Sequence, residues 1–98
     1  MTETETVYAL SKQIPKGKVT TYKALAEAAG NPKAARAVGR ILNKNKNLII
    51  IPCHRVIRSD RSVGGYAAGI EKKIKLLRKE GVEIKNEKVA ERFIIRKL

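Results

Sequence analysis

Apolar residues recur at helical spacing in four stretches of the chain. Val7, Tyr8, Leu10 and Ser11, following Thr4 or Thr6 as a cap, predict a first helix. Ile14-Pro15-Lys16-Gly17 stops it, because proline and glycine do not extend a helix cheaply. Thr20 is a good N-cap for a helix over 21–29, in which Tyr22, Leu25, Ala26 and Ala29 share a face and Gly30 ends the segment. Asn31-Pro32 then predict a cap and first residue for a helix through Ala34, Ala35, Ala37, Val38, Ile41 and Leu42 to about Asn43. Two helices joined by Gly-Asn-Pro suggest a helix-turn-helix. The last strongly patterned helix runs from Gly69 to Glu80, with Ile70, Ile74, Leu76 and Leu77 on one side and Gly81 as terminator.

Between these helices the pattern changes to short β-branched runs. Leu48 to Ile51 and Val56-Ile57 read as short buried strands, and Pro52, which lacks an N–H, bends the chain at Cys53. Asn43 to Asn47 is a polar hinge. Arg58 to Ser62 is a turn cluster, and Val63-Gly64-Gly65-Tyr66 after it predicts a small hairpin or wing. Glu83 to Lys88 is polar, and Val89, Phe93, Ile94, Ile95 and Leu98 fit either a short helix or a terminal strand. The expected fold is mainly α with a small β wing, a winged-helix-like helix-turn-helix in a single domain over residues 1–98.

Charge sharpens this picture. In 98 residues, 22 Lys and Arg face 9 Asp and Glu, a formal net charge of +13, which implies a polyanionic partner. Pro32 through Arg58 contains no acidic residue at all. The second helix of the pair carries Lys33, Arg36, Arg40 and Lys44 on an alanine-rich backbone with Gly39 in its interior, so it is thin enough to press against a groove. A solvated basic face is the plainer reading, but the overall charge favours DNA. No apolar run approaches the ~18 residues that a membrane span needs, and the free cysteine without a signal peptide fits the cytoplasm. The abundance of Lys, Ile and Glu with one Met also resembles heat-adapted proteins.

The only cysteine and the only histidine are adjacent, in Ile51-Pro52-Cys53-His54-Arg55-Val56-Ile57. A cysteine in an apolar strand is usually a small buried hydrophobe. Here Pro52 fixes the approach, His54 can accept or relay a proton, and Arg55 adds fixed charge, a setting that favours a thiolate nucleophile. One Cys and one His cannot make a zinc site, and no metal is expected; no cofactor is expected either.

Thr21-Tyr22, the Asn31-to-Gly39 block, Ile51 to Ile57, Gly64-Gly65-Tyr66 and Leu76-Leu77 with Glu80-Gly81 together resemble the DNA-binding and active-site domain of the O6-alkylguanine-DNA alkyltransferases. The match is ordered and covers roughly residues 5 to 82. The resemblance implies that Cys53 takes the alkyl group from O6-alkylguanine in one displacement and is consumed. It assigns His54 as base acting through a water, Glu80 as its orienter, and Asn45 as the hinge asparagine that holds the active-site loop. Arg36 becomes the finger that fills the stack after base flipping. Tyr22 rotates the target phosphate and contacts the flipped guanine, and Tyr66, Ala67, Ala68 and Pro52 line the pocket. Lys33, Ala34, Ala35, Gly39 and Arg40 complete the DNA surface, which in this family enters the minor groove of double-stranded DNA. A monomer without membrane attachment is implied.

Two departures stand out. The family's usual preceding domain is missing, and Ala68 stands where glycine is common. The rival reading is an alkyltransferase-like protein that binds alkylated DNA and recruits other repair factors; such relatives lack the reactive cysteine. A winged-helix regulator would explain the charge but not Pro52-Cys53-His54-Arg55.

Overall fold

The computed structural model describes residues 3–47 and 50–98. Helix α1 spans Glu3–Ser11, and its first-turn Glu3 and Glu5 complement the positive end of the helix dipole. Thr4 and Thr6 therefore lie inside the helix, and neither is its cap. Strand β1 (Val19–Thr21) leads directly into α2 (Tyr22–Ala28). The N-cap is Thr21, whose Oγ1 accepts from the Ala24 N–H at 3.0 Å, one residue later than the sequence predicts. Thr20 is instead committed to the sheet, where its hydroxyl donates to the Ile95 carbonyl at 2.6 Å.

Helix α3 covers Ala35–Asn43 and starts later than the Asn31-Pro32 signal implies. Asn31 is spent on closing α2: its N–H reaches the Ala26 carbonyl at 2.9 Å and that of Gly30 reaches Glu27 at 3.0 Å. Gly30 supplies the positive φ of 89° that this Schellman closure requires. Only after one further turn, with the Ala34 N–H on the Asn31 carbonyl, does α3 begin.

Strand β2 (Val56–Ile57) pairs in parallel with β1, Thr20 opposite Val56 and Thr21 opposite Ile57. Helix α4 spans Ile70–Lys79, strands β3 (Ile84–Lys85) and β4 (Lys88–Val89) form an antiparallel hairpin, and β5 (Ile94–Ile95) joins the other edge of β1 in parallel. The three-stranded sheet thus has the order β2-β1-β5. Side chains alternate across it. Val56 packs with Val7, Leu25, Val38, Leu42 and Tyr66 on the helical side, whereas Ile57 and Val19 pack with Val63, Leu77, Val82, Ile84 and Val89 on the other.

The architecture is mixed, with four α-helices and two small sheets among the described residues. The hairpin expected between residues 56 and 66 does not form, because β2 is taken by β1. The hairpin lies instead at 84–89, with Asn86 and Glu87 at φ of 53° and 59° as a primed two-residue turn. Ser62 joins it only through a single bridge to Lys88. The upstream apolar run also departs from expectation: Ile50 is 60% exposed, and Leu48 and Ile49 lie outside the described residues. The bend after Pro52 is a single 3₁₀ turn, Cys53–Arg55.

Candidate active site and nucleic-acid interface

The 3₁₀ turn buries Cys53 and His54, at 4% and 6% exposure. The Cys53 N–H closes on the Ile51 carbonyl at 2.8 Å, and Val56 caps the turn through the Cys53 carbonyl. Asn45, just past the end of α3, is buried and holds the loop together: its Nδ2 donates to the Ile51 carbonyl at 3.1 Å and to Cys53 Sγ at 3.5 Å, while its Oδ1 accepts from the Asn47 N–H at 2.9 Å.

His54 Nε2 lies 3.1 Å from Glu80 Oε1. Burial pushes the imidazole below its ordinary range, with Glu80 opposing. Burial raises the Glu80 carboxyl, yet hydrogen bonds from Arg55 and contact with His54 bring it net below its ordinary value. A neutral ring beside a carboxylate must donate from Nε2–H, which leaves Nδ1 as the bare acceptor. Nδ1 is buried and unpartnered, and the only other such side-chain atom among the described residues is the hydroxyl of Tyr66. The Tyr66 ring meets His54 edge-on at 6.4 Å, and its phenol is raised by burial and then by Cys53. Both unsatisfied groups therefore belong to residues grouped with the single thiol.

Arg55 does not stand over the thiol. Its Nε and Nη2 grip Glu80 at 3.0 and 2.7 Å and its Nη1 reaches the Ile14 carbonyl at 2.9 Å. The resting thiolate expected from local cations is accordingly corrected: burial pushes the Cys53 thiol up, opposed by Asn45, Lys73 and a backbone hydrogen bond.

Lys73, on α4 but not among the apolar residues that mark its inward side, is fully buried. Its Nζ donates to the Val56 carbonyl at 2.6 Å, the Gly65 carbonyl at 3.0 Å and the Tyr22 hydroxyl at 3.4 Å. Desolvation pushes its pKa down to about 7, with Cys53 pulling the other way. A signal existed: Lys73 precedes Leu76 and Leu77 by three and four residues and so shares their inward face. Ile70, assigned to that face by pattern, is 39% exposed.

In front of Tyr22 opens a groove of about 610 Å³ whose walls include Lys23, Arg36 and Arg40 from the helices and Arg58, Ser59 and Asp60 from the turn after β2. Gly39 brings α3 close, since a Cβ there would stand 4.0 Å from the Tyr22 ring. Among the residues assigned to DNA contact, the groove gathers Tyr22, Ala35, Arg36, Gly39 and Arg40; it does not include Lys33, and Ala34 packs against the helical core. Lys23, Asn43 and Arg58 were not anticipated. Pro52 and Tyr66 are buried near the thiol, whereas Ala67 and Ala68 are exposed. Cys53 is not part of the groove wall; Tyr22 borders both, lining the groove and packing against the core cluster that holds Cys53.

The fold and site define a basic domain that presents a buried Cys-His-Glu cluster behind a cationic groove. Residues 3–82 match the model of the "6-O-methylguanine DNA methyltransferase, DNA binding domain" family. The chain belongs to this family of DNA-repair proteins. It is 52% identical over 83 residues to a bifunctional methyltransferase/endonuclease of Picrophilus torridus, covering 85% of this chain and 28% of that one. It is 47% identical over 77 residues to the methylated-DNA–protein-cysteine methyltransferase of Methanosarcina acetivorans, covering 79% and 49%. The chain thus spans half or less of these two relatives. Among solved structures, the S. pombe ATL in complex with DNA superposes with a TM-score of 0.82 at 28% identity, over 95% of this chain and 94% of that one.

Proposed function

We propose that this protein repairs DNA by irreversible transfer of the alkyl group of O6-alkylguanine to Cys53, a single-turnover methylated-DNA–protein-cysteine methyltransferase. The observation that carries the reading is the pairing of the lone thiol with two unsatisfied buried polar atoms, His54 Nδ1 and the Tyr66 hydroxyl. Buried polar groups are normally satisfied, and exceptions concentrate where a ligand or a proton must be handled.

In the proposed reaction the thiol is at rest protonated and His54 neutral. His54 Nδ1 takes the thiol proton, through a bridging water, while Glu80 steadies the ring and Arg55 fixes Glu80. Sulfur then attacks the alkyl carbon, the S–C bond forms as the C–O6 bond breaks, and O6 leaves with the electron pair. The proton removed from the thiol is returned to the guanine, so atoms and charge balance. Asn45 and Lys73 stabilise developing negative charge on Sγ. A thiolate in this setting needs them, since burial alone opposes it.

DNA enters the groove in front of Tyr22. Helices α2 and α3 act as the helix-turn-helix of a winged-helix-like unit, with α3 in the minor groove, Arg36 filling the stack and Tyr22 guiding the flipped base towards the thiol. The relay lies wholly within this domain, which acts as a monomer; its free thiol suits the cytoplasm.

The decisive test is incubation with duplex DNA carrying O6-methylguanine, followed by mass spectrometry of the Cys53 peptide. A gain of one methyl group is expected. An unmodified peptide with retained lesion affinity would replace this reading by the second one, a non-catalytic lesion binder that recruits other repair factors, which the near full-length superposition on the S. pombe ATL favours.

A further inference from the structure

Arg61, next to the turn that walls the groove, and residues 83–90, which follow the family match, build a second cationic cavity. This cavity, about 330 Å³, is lined by Arg61, Glu83, Lys85, Asn86, Lys88 and Ala90. One turn contributes to both: Arg58, Ser59 and Asp60 line the groove, and the next residue, Arg61, lines the cavity. The turn is rigidly tied, with the Arg61 N–H on the Arg58 carbonyl at 3.0 Å, the Val89 N–H on the Arg61 carbonyl at 2.9 Å and the Val63 N–H on the Glu87 carbonyl at 3.0 Å.

Arg61 adopts φ of 78°. An L-residue there costs about 1 kcal/mol or more relative to glycine, so an arginine at this position is held against a backbone preference. No close ion pair among the described residues joins its guanidinium or the ammonium groups of Lys85 and Lys88; at longer range Arg61 acts on Glu91 and Lys88 on Asp60. The acids around them are already engaged: Glu83 pairs with Arg92 and Glu91 with Arg96, and Asp60 accepts from Ser62 at 2.9 and 2.6 Å. Glu87, at the hairpin tip, faces a different cavity.

We propose that Arg61, Lys85 and Lys88 form an accessory phosphate-binding site that grips the DNA backbone beyond the groove, extending the contact from the helices onto the β3–β4 hairpin. The i to i+3 turn holds Arg58 and Arg61 within about 7 Å of each other at Cα. Phosphates recur every ~3.4 Å of axis on each strand, so one strand that meets Arg58 passes Arg61 within a few nucleotides. The inference rests on the DNA-binding part of the proposed function and adds Arg61 together with Lys85 and Lys88, the two lysines lying past the family match.

The test is the salt dependence of binding to an undamaged fluorescent duplex, read by anisotropy, with the full chain and the variant Arg61→Gly/Lys85→Gln/Lys88→Gln. Each phosphate contact contributes about 0.9 to the slope of log K against log salt, so the slope should fall by about 2.7 in the triple variant. A control of equal charge change, Lys72→Gln/Lys75→Gln/Lys79→Gln on α4, should leave the slope nearly unchanged. Arg61→Gly alone should weaken binding while the melting temperature holds or rises, because glycine relieves the backbone preference. Equal losses in triple variant and control, or no loss in either, would overturn the accessory site while leaving DNA binding intact. A wild-type chain that binds no duplex would overturn the functional reading as well.

Discussion

On the inner side of Tyr22, polar groups are buried or half-buried and, His54 Nδ1 and the Tyr66 hydroxyl excepted, committed to one another: Asn45 to the loop and thiol, Glu80 to His54 and Arg55, Lys73 to two carbonyls. On the outer side, Lys23, Arg36, Arg40 and Arg58 line an open groove and make no ion pair among the described residues. The difference teaches where energy and where specificity reside. An inner change strands a partner in low dielectric and costs several kcal/mol, whereas an outer change removes one screened interaction. Inner substitutions should therefore act steeply and outer ones gradually and with salt.

The sharpest break is Cys53→Ser, which should abolish alkyl transfer while duplex affinity, measured by anisotropy, stays within about twofold. Next, Glu80→Gln should slow single-turnover transfer by roughly 10²–10⁴-fold, the usual range for loss of an organised base. Its pH profile carries a second reading. Burial lowers the His54 pKa, so the base stays neutral and the acid limb of the wild-type rate falls only below the ordinary histidine range near ~6.5. Because Glu80 opposes that lowering, removing its charge should move the limb further towards acid; a limb that moves towards neutrality would contradict the assigned pair.

Lys73→Met tests the inner network through stability. The folded pKa is about 7 and the ordinary value 10.5, so between these pH values the unfolded chain binds more protons. The wild type should therefore gain stability relative to the Met variant as pH rises from 7 to 10, by on the order of a few kcal/mol in denaturant titrations. A flat difference would mean that the ammonium is not desolvated. The smallest effect belongs to the groove: Arg36→Ala should slow repair in duplex DNA about tenfold, roughly 1.4 kcal/mol, with little change towards free O6-benzylguanine. Equal losses on both substrates would place Arg36 on the inner side of the comparison.

Legibility in the sequence followed the same divide. Rarity marks Cys53 and His54 in the sequence, whereas Asn45 and Glu80 are marked only by the family resemblance; the structure brings all four together. Lys73 was not legible, since a lysine among lysines carries no compositional signal; only its helical phase with Leu77 does. Arg55 was placed by adjacency to the thiol, but side-chain reach sent it to Glu80. The helices were legible from period and terminators, within one or two residues except where Asn31 was consumed by the closure of α2. The hairpin was missed because Asn86-Glu87 lacks the glycine that usually marks a primed turn, and the pairing of β1 with both β2 and β5 leaves no local trace in any one segment.

That sheet has a kinetic consequence. Thr20 bonds to Ile95, 75 residues away, and β1 sits between partners that both come later in the chain. Closing a loop of that length costs about 4 kcal/mol of chain entropy by the logarithmic law, before any contact returns it. The helices can form early from neighbouring residues, but the strand that leads into Tyr22 stays unflanked on one edge until residue 95 has cleared the ribosome. Assembly of the platform beneath the groove is thus expected to be the slow step of folding, set by topology and not by the strength of the site it carries.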